Sequence, residues 1–242
     1  MAPTPLHIGI VCCSAEGAAL CYRTVCTEAP ALLGRYAHPE VSMHGHSFAC
    51  YQDCIDRDDW AGVAELMLAS ARKLEAAGAR LLICPDNTIH RAFPHLAGRA
   101  PLPWLHIAEV VADAAVERGY RRLGLTGTRW LVQSEVYPEK LAPRGLTVVR
   151  PAAEDREEIS RIIMEELVNG RFTAEALRTF QAVIGRLRDA GCDAVVLGCT
   201  EIPLLVDDTT SPLPTLDSTR LLARAALRRA IADAEAPSSR GA

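Results

Sequence analysis

The chain carries one unit twice, and a duplicated chain has few ways to fold. The run Leu82-Ile83-Cys84-Pro85-Asp86-Asn87-Thr88 returns as Val195-Val196-Leu197-Gly198-Cys199-Thr200-Glu201, each time a short apolar segment giving way to small polar residues. Laid without a gap, Ala77-Gly78 falls on Ala190-Gly191 and Asp86 on Cys199, at an offset of 113 (199 minus 86). Two more echoes keep the same order. Ile8-Gly9-Ile10 matches Leu123-Gly124-Leu125 at an offset of 115 (123 minus 8), and Pro101-Leu102-Pro103 matches Pro212-Leu213-Pro214 at an offset of 111 (212 minus 101). Small loop insertions shift the offsets, while three echoes in one order make chance a poor explanation. Halves related by a two-fold axis would bring Asp86 and Cys199 face to face across one small molecule.

The local pattern gives each half the same course. His7 to Val11 reads as a buried strand stopped at Cys12-Cys13-Ser14, and Ser14 is placed to cap a helix running to about Cys26. Glu40 to His46 is expected as the second strand. Between Asp59 and Ala77, the residues Trp60, Val63, Ala64, Met67, Ala71 and Leu74 recur at helical spacing, Gly78 follows as a cap, and Arg80 to Cys84 is the next strand. In the second half, Arg122 to Thr126 is a strand, Phe180, Val183, Ile184 and Leu187 form the helical stripe before Gly191, and Ala194 to Gly198 is a strand again. Strands alternating with helices predict an α/β fold, with a mainly parallel sheet flanked by helices in each half. The tail after Ala234, with Pro237-Ser238-Ser239, is expected to fray.

Composition bears on function more than on fold. A net charge of -4 and the lack of a Lys or Arg stripe leave nothing to bind a phosphate backbone, so nucleic acid is not an expected partner. Only Lys73 and Lys140 are lysines, and neither adjoins a turn that looks like a site, which leaves cofactors needing a Schiff-base lysine without a holder. Nine cysteines, odd in number and not in a disulfide-scaffold spacing, fit a reduced, cytoplasmic setting. No apolar run is long enough to cross a bilayer, and Met1-Ala2-Pro3-Thr4-Pro5 has no signal-peptide character.

Parallel sheets present their chemistry beyond the carboxyl ends of the strands. Cys13, Ser14, Asp86, Asn87 and Thr88 stand at such ends in the first half, and Thr128, Cys199 and Thr200 in the second. Cys199 at a helix N-terminus would have its thiol pKa lowered, which suits a base or nucleophile. Cys12, Cys21, Cys26, Cys50, Cys54 and Cys192 read as packing residues, and Cys84 as a core residue, since cysteine is often buried. Asp86 reads either as an acid or base whose pKa burial raises, or as a helix cap. Ser14, Asn87, Thr88, Thr128 and Thr200 suit capping and anion binding alike. His90 would orient Asp86 or pack beneath it. His44 and His46 have metal-ligand spacing on a strand, but no third and fourth ligand accompanies them, so no metal is expected.

These residues resemble the cofactor-independent aspartate/glutamate racemase family. The resemblance rests on Gly198-Cys199-Thr200-Glu201, on Asn87-Thr88-Ile89-His90, on the opening strand with Ser14, on Leu125 to Thr128, and on Pro214 to Asp217, and it spans nearly the whole chain. It implies two pseudo-symmetric α/β lobes with the site between them, the first being residues 1–103 plus 216–242 and the second 104–215. It implies a homodimer, no cofactor, and a small carboxylate or amino acid as substrate. Racemisation in the family uses two cysteines on opposite faces of the α-carbon. Cys199 matches one, and Asp86 stands where the other is expected, so Cys199 and Asp86 are the catalytic pair the resemblance implies. Ser14, Asn87, Thr88, Thr128 and Thr200 match substrate-binding positions. Members acting on acidic amino acids are expected to hold cations near residues 46–48 and near Val168, where this chain has His46-Ser47-Phe48 and Val168-Asn169-Gly170. Two alternatives stand beside racemisation: a one-thiol relative such as a malonate-type decarboxylase, and a ligand-binding relative without turnover.

Overall fold

Two parallel sheets carry the chain, one in each half. The computed structural model describes residues 4–235, and the tail with Pro237-Ser238-Ser239 lies outside the described residues. The first half runs β1 (Ile8–Cys12), α1 (Ala15–Glu28), the single turn α2 (Pro30–Leu33), β2 (Val41–Gly45), α3 (Phe48–Asp56), α4 (Trp60–Ala76) and β3 (Leu81–Ile83). A 3-10 segment, Thr88–Leu96, leads to α5 (Ile107–Glu117). The second half follows with β4 (Arg122–Thr126), α6 (Arg129–Val132), α7 (Pro138–Leu141), β5 (Thr147–Val149), α8 (Ala153–Glu165), α9 (Ala174–Asp189), β6 (Ala194–Leu197), β7 (Thr215–Asp217) and α10 (Ser218–Glu235). Strand orders are β2-β1-β3 and β5-β4-β6-β7, and every pairing within them is parallel. The architecture is the α/β arrangement expected.

The echoes in the sequence occupy matching places. Gly9 pairs with Leu82 in the first sheet and Gly124 with Val195 in the second. At both glycines a Cβ would press on the helix behind, reaching the Cβ of Leu74 in one half and of Leu187 in the other at 3.2 Å. Trp104 then bridges to Leu82, and Thr215 pairs with Val195. The two contacts are made alike: Leu82 N–H donates to the Pro103 carbonyl, and Val195 N–H to the Pro214 carbonyl, both at 2.9 Å. Proline has no N–H to give, so it can accept at a sheet edge without leaving a donor unpaired. The residues that follow the Pro-Leu-Pro segments, Trp104 and Thr215–Asp217, therefore take the fourth-strand position of each sheet, where the sequence pattern alone shows a lead-in to a helix.

Apolar stripes at helical spacing build the cores. Trp60, Val63, Ala64, Met67, Ala71 and Leu74 of α4 are all buried, as are Phe180, Val183, Ile184 and Leu187 of α9. β7 belongs to the second sheet through Asp217, and α10 then crosses to the first. Its Leu222, Ala223, Ala226 and Ala230 share a core with Ile8, Ile10, Leu81 and Ile83, and Leu6 N–H donates to the Ala230 carbonyl at 2.9 Å.

The cysteines divide. Cys21, Cys54, Cys84 and Cys192 are buried and Cys12 and Cys26 half-buried, as packing residues should be, but Cys50 is exposed on α3 and packs nothing. His44 bonds Ser70 Oγ through Nδ1 at 2.9 Å and meets Lys73 Nζ through Nε2 at 3.0 Å. Among the described residues, no group of three or more His, Cys, Asp or Glu forms a metal-binding cluster, and no helix is long and apolar enough to cross a membrane.

Candidate active site

Four strand ends converge. β1 delivers Cys13 and Ser14, β3 leads through Pro85 to Asp86, Asn87 and Thr88, β4 delivers Thr128, and β6 delivers Cys199, Thr200 and Glu201. They surround a cavity of about 30 Å³, whose lining includes Cys199, Asp86, Ser14, Asn87, Thr88, Thr128 and Thr200, every candidate drawn from the sequence.

Hydroxyls and an amide stitch the two halves together around this cavity. Ser14 Oγ lies 3.4 Å from Thr200 Oγ1, and Thr88 Oγ1 lies 2.9 Å from Thr128 Oγ1. Ser14 and Thr128 are also caps, accepting from Gly17 N–H and Leu131 N–H at 3.3 Å each. Both polar atoms of the Asn87 side chain are engaged: Nδ2 donates to Ser218 Oγ at 2.9 Å and Oδ1 accepts from Tyr137 OH at 2.6 Å, so the carboxamide ties its loop to α10 and to the second half. Gly17 lets α1 approach, because a Cβ there would lie 2.2 Å from Thr200 Oγ1 and 2.9 Å from the Pro85 carbonyl.

Each half contributes one thiol and one carboxyl. In the second, the Cys199 thiol donates to Glu201 Oε2 at 2.9 Å, and Thr200 Oγ1 donates to the same oxygen at 3.1 Å. Glu201 is only 1% exposed, and its Oε1 has no partner among the described residues. In the first, the Cys13 thiol and the Asp86 carboxyl line the same small cavity, and Asp86 Oδ1 accepts from Ile89 N–H at 3.0 Å. Asp86 thus caps a turn and faces the cleft at once. The order is inverted between the halves: Cys199 is the less deeply buried member of its pair, whereas in the other pair it is Asp86, with Cys13 buried.

The expectation of an acidic Cys199 thiol does not hold. Only a three-residue 3-10 turn, Ile202–Leu204, follows it, too short to supply a helix dipole. Burial pushes the Cys199 thiol well above its usual range, and the Glu201 and Asp86 carboxyls push it further. Burial also raises Asp86, opposed by the Ile89 N–H bond and reinforced by Glu201. Cys13 is raised by burial and then by Asp86. A site crowded with acids and lacking a cation favours the protonated forms.

Beneath the site, His90 fixes Asp86 from behind. Its Nδ1 bonds the Asp86 carbonyl at 2.6 Å, and its Nε2 accepts from Ile107 N–H at 3.2 Å, so His90 both orients and packs. The rest of the cleft lining is Phe48, Gln52 and Ile55 of α3, Trp130 of α6, Ile163 and Met164 of α8, Val168 and Gly198. Phe48 and Val168 occupy the places where cations are expected in relatives acting on acidic amino acids, and among the described residues no cation lines the cleft; His44 and His46 stand outside it. The apolar walls have no counterpart in the sequence pattern, which places Cys13 at a strand end and Glu201 in the Gly-Cys-Thr-Glu motif without a chemical role for either. For Glu201 a signal existed, a carboxyl two residues after the candidate thiol. A larger hollow of about 900 Å³ lies beyond Trp130 and His90 and touches none of the seven candidates.

Similar proteins fit this geometry. A family model described as Asp/Glu/Hydantoin racemase matches residues 10–226. A candidate Asp/Glu racemase from Yersinia pestis has a structure that superposes with a TM-score of 0.84 at 30% identity, over 93% of this chain and 99% of that one. An aspartate racemase homologue from Pyrococcus horikoshii superposes with a TM-score of 0.79 at 28% identity, over 93% and 98%. The broad specificity amino-acid racemase RacX of Bacillus subtilis is 23% identical over 188 residues, 77% of this chain and 80% of RacX.

Proposed function

The chain belongs to the Asp/Glu/Hydantoin racemase family, and on that premise we propose that it racemises an amino acid by moving the α-proton between Cys199 and Asp86. The observation that carries this reading is that a thiol and a carboxyl from different halves line one small cavity. Backbone N–H groups of Asn87, Thr88 and Thr200, with the hydroxyls of Ser14 and Thr128, hold the substrate carboxylate, where they also stabilise the charge that builds as the α-carbon loses its proton.

For one enantiomer, the Cys199 proton passes to Glu201, which accepts it already in the resting hydrogen bond. The thiolate then removes the α-proton and protonated Asp86 returns one to the opposite face, which leaves Asp86 ionised and Glu201 protonated until exchange with solvent resets them. For the other enantiomer, Asp86 carboxylate is the base and the Cys199 thiol the acid, and Glu201 returns its proton to the sulfur. Both groups rest on the protonated side. The substrate ammonium brings the opposing charge, which favours the anionic form of whichever group acts as base. The sequence-based boundary at 216 moves to the end of β7, since Leu216 and Asp217 pair with β6, and the two lobes, one built on the first sheet with α10 and the other on the second sheet through Asp217, act as the jaws of the site. The same reading takes the enzyme as a cytoplasmic homodimer, in keeping with nine free cysteines.

The test is α-hydrogen exchange in heavy water, with optical rotation followed in parallel, across a broad amino-acid panel. Wild type exchanges and racemises, and Cys199→Ser and Asp86→Asn each lower kcat by roughly 10²–10⁴-fold. Absence of exchange throughout the panel, or full activity in both variants, overturns the reading. Carbon dioxide release from a malonate-type acid that survives Asp86→Ala and vanishes in Cys199→Ala marks one-thiol decarboxylation instead.

A further inference from the structure

The cleft is chemically two-sided. One part of its lining is acids, thiols and hydroxyls; the other is Phe48 and Ile55 from the first half with Trp130, Ile163, Met164 and Val168 from the second. Gln52 is the single polar side chain among these apolar residues, and its Nε2 is already drawn to the Asp56 carboxylate at 2.7 Å. Among the described residues, no Lys, Arg or His lines the cleft. Arg129, next to Trp130 in the chain, is turned elsewhere: its guanidinium stacks over the Trp130 ring at 4.5 Å from the centroid and lies 3.7 Å from Glu157.

From these walls we infer that the substrates are neutral amino acids with apolar side chains of leucine or methionine type, and that aspartate and glutamate are rejected. This rests on the racemase reading of the site. An amino acid brings one carboxylate, met by N–H groups and hydroxyls, and one ammonium, drawn to the acidic side of the cleft. A second carboxylate would enter a cavity that already holds two carboxyls and two thiols, give up its water, and find no cation. An apolar side chain instead leaves water for Phe48, Ile55, Ile163 and Met164, a transfer that is favourable in itself.

Matched sets separate charge from shape. Leucine, asparagine and aspartate branch alike at the γ position, and methionine, glutamine and glutamate have similar length. Exchange of the α-hydrogen in heavy water is measured by proton NMR for both enantiomers of each, with thermal stabilisation of the same protein as an independent readout of binding. Leucine and methionine are expected to exceed aspartate and glutamate in kcat/KM by at least about a hundredfold, with the amides between. Val168→Arg, which places a cation on the apolar wall, is expected to shift the ratio toward the acidic pair by about tenfold or more. Aspartate or glutamate turned over by wild type as well as leucine and methionine overturns the inference and leaves the racemase reading intact. If nothing exchanges but leucine and isocaproate stabilise the protein while aspartate does not, racemisation fails and the account of the walls stands. No stabilisation or exchange by any neutral compound overturns the inference as well.

Discussion

Acid should loosen the start of α5 before it unfolds the rest, because two neutral imidazoles hold that helix end. His106 Nδ1 accepts from Ala108 N–H and His90 Nε2 accepts from Ile107 N–H, each at 3.2 Å, and the two rings stand 4.7 Å apart. A proton on either accepting nitrogen would turn an acceptor toward a donor at the positive end of a helix. Burial, followed by Lys140, depresses His106 from 6.5 to about 3, and burial, followed by His106, pulls His90 well below its usual value. A depressed folded value means the stabilisation is complete above the unfolded value near 6.5 and is lost as pH falls through that value toward about 3. At about pH 4.5 the unfolded imidazole is protonated and the folded one is not, so His106 alone withdraws roughly 3 kcal/mol of stability. That is a large share of the roughly 5–15 kcal/mol typical of a folded protein. The assay is urea unfolding at about pH 7.5 and 4.5 for wild type and His106→Asn, since asparagine keeps a capping acceptor and does not titrate. Carboxylates titrate in both proteins, so the difference between them isolates the imidazole. The variant should lose roughly 2–3 kcal/mol less than wild type on acidification. Parallel pH curves for the two proteins would refute the reasoning.

Two more predictions concern the cleft itself. Burial raises the Asp86 pKa, so its stabilising contribution is present at low pH and lost as pH rises through the folded value; Asp86→Asn, which keeps an acceptor for Ile89 N–H, should be as stable as wild type or more so at neutral pH, read by thermal unfolding. Gly17→Ala gains up to about 1 kcal/mol of helix propensity but drives a methyl into Thr200 and the Pro85 carbonyl, so turnover should fall by about tenfold or more with little change in melting temperature; unaltered turnover would mean that the approach of α1 to Thr200 does not set the site.

Much of this architecture was legible because it is written in periodic apolar spacing and written twice. β4 spans Arg122–Thr126 as read, and every apolar position named on α4 is buried. The fourth-strand positions were not legible: a bridge at Trp104 and three residues at Thr215–Asp217, each led in by proline, are too short for alternation to show. At the site, the residues at the strand ends could be found because parallel sheets place their chemistry there. Their electrostatic surroundings could not. Cys199 lost its expected acidity to a turn of three residues and to a carboxyl whose burial no local pattern reveals. The apolar walls come from α3 and α8, over a hundred residues apart in sequence (163 minus 55 is 108), and meet only in the fold. The partners of the Asn87 carboxamide, Tyr137 and Ser218, are likewise 50 and 131 residues away in sequence and meet it only in the fold.

The return of α10 to the first sheet means that the chain passes between the halves at two places, once entering α5 and once entering α10. A door hung on a single pin can twist and sag, whereas one hung on two swings about a fixed line. Two crossings in place of one leave the strand ends that carry Asp86 and Cys199 fewer independent ways to shift against each other.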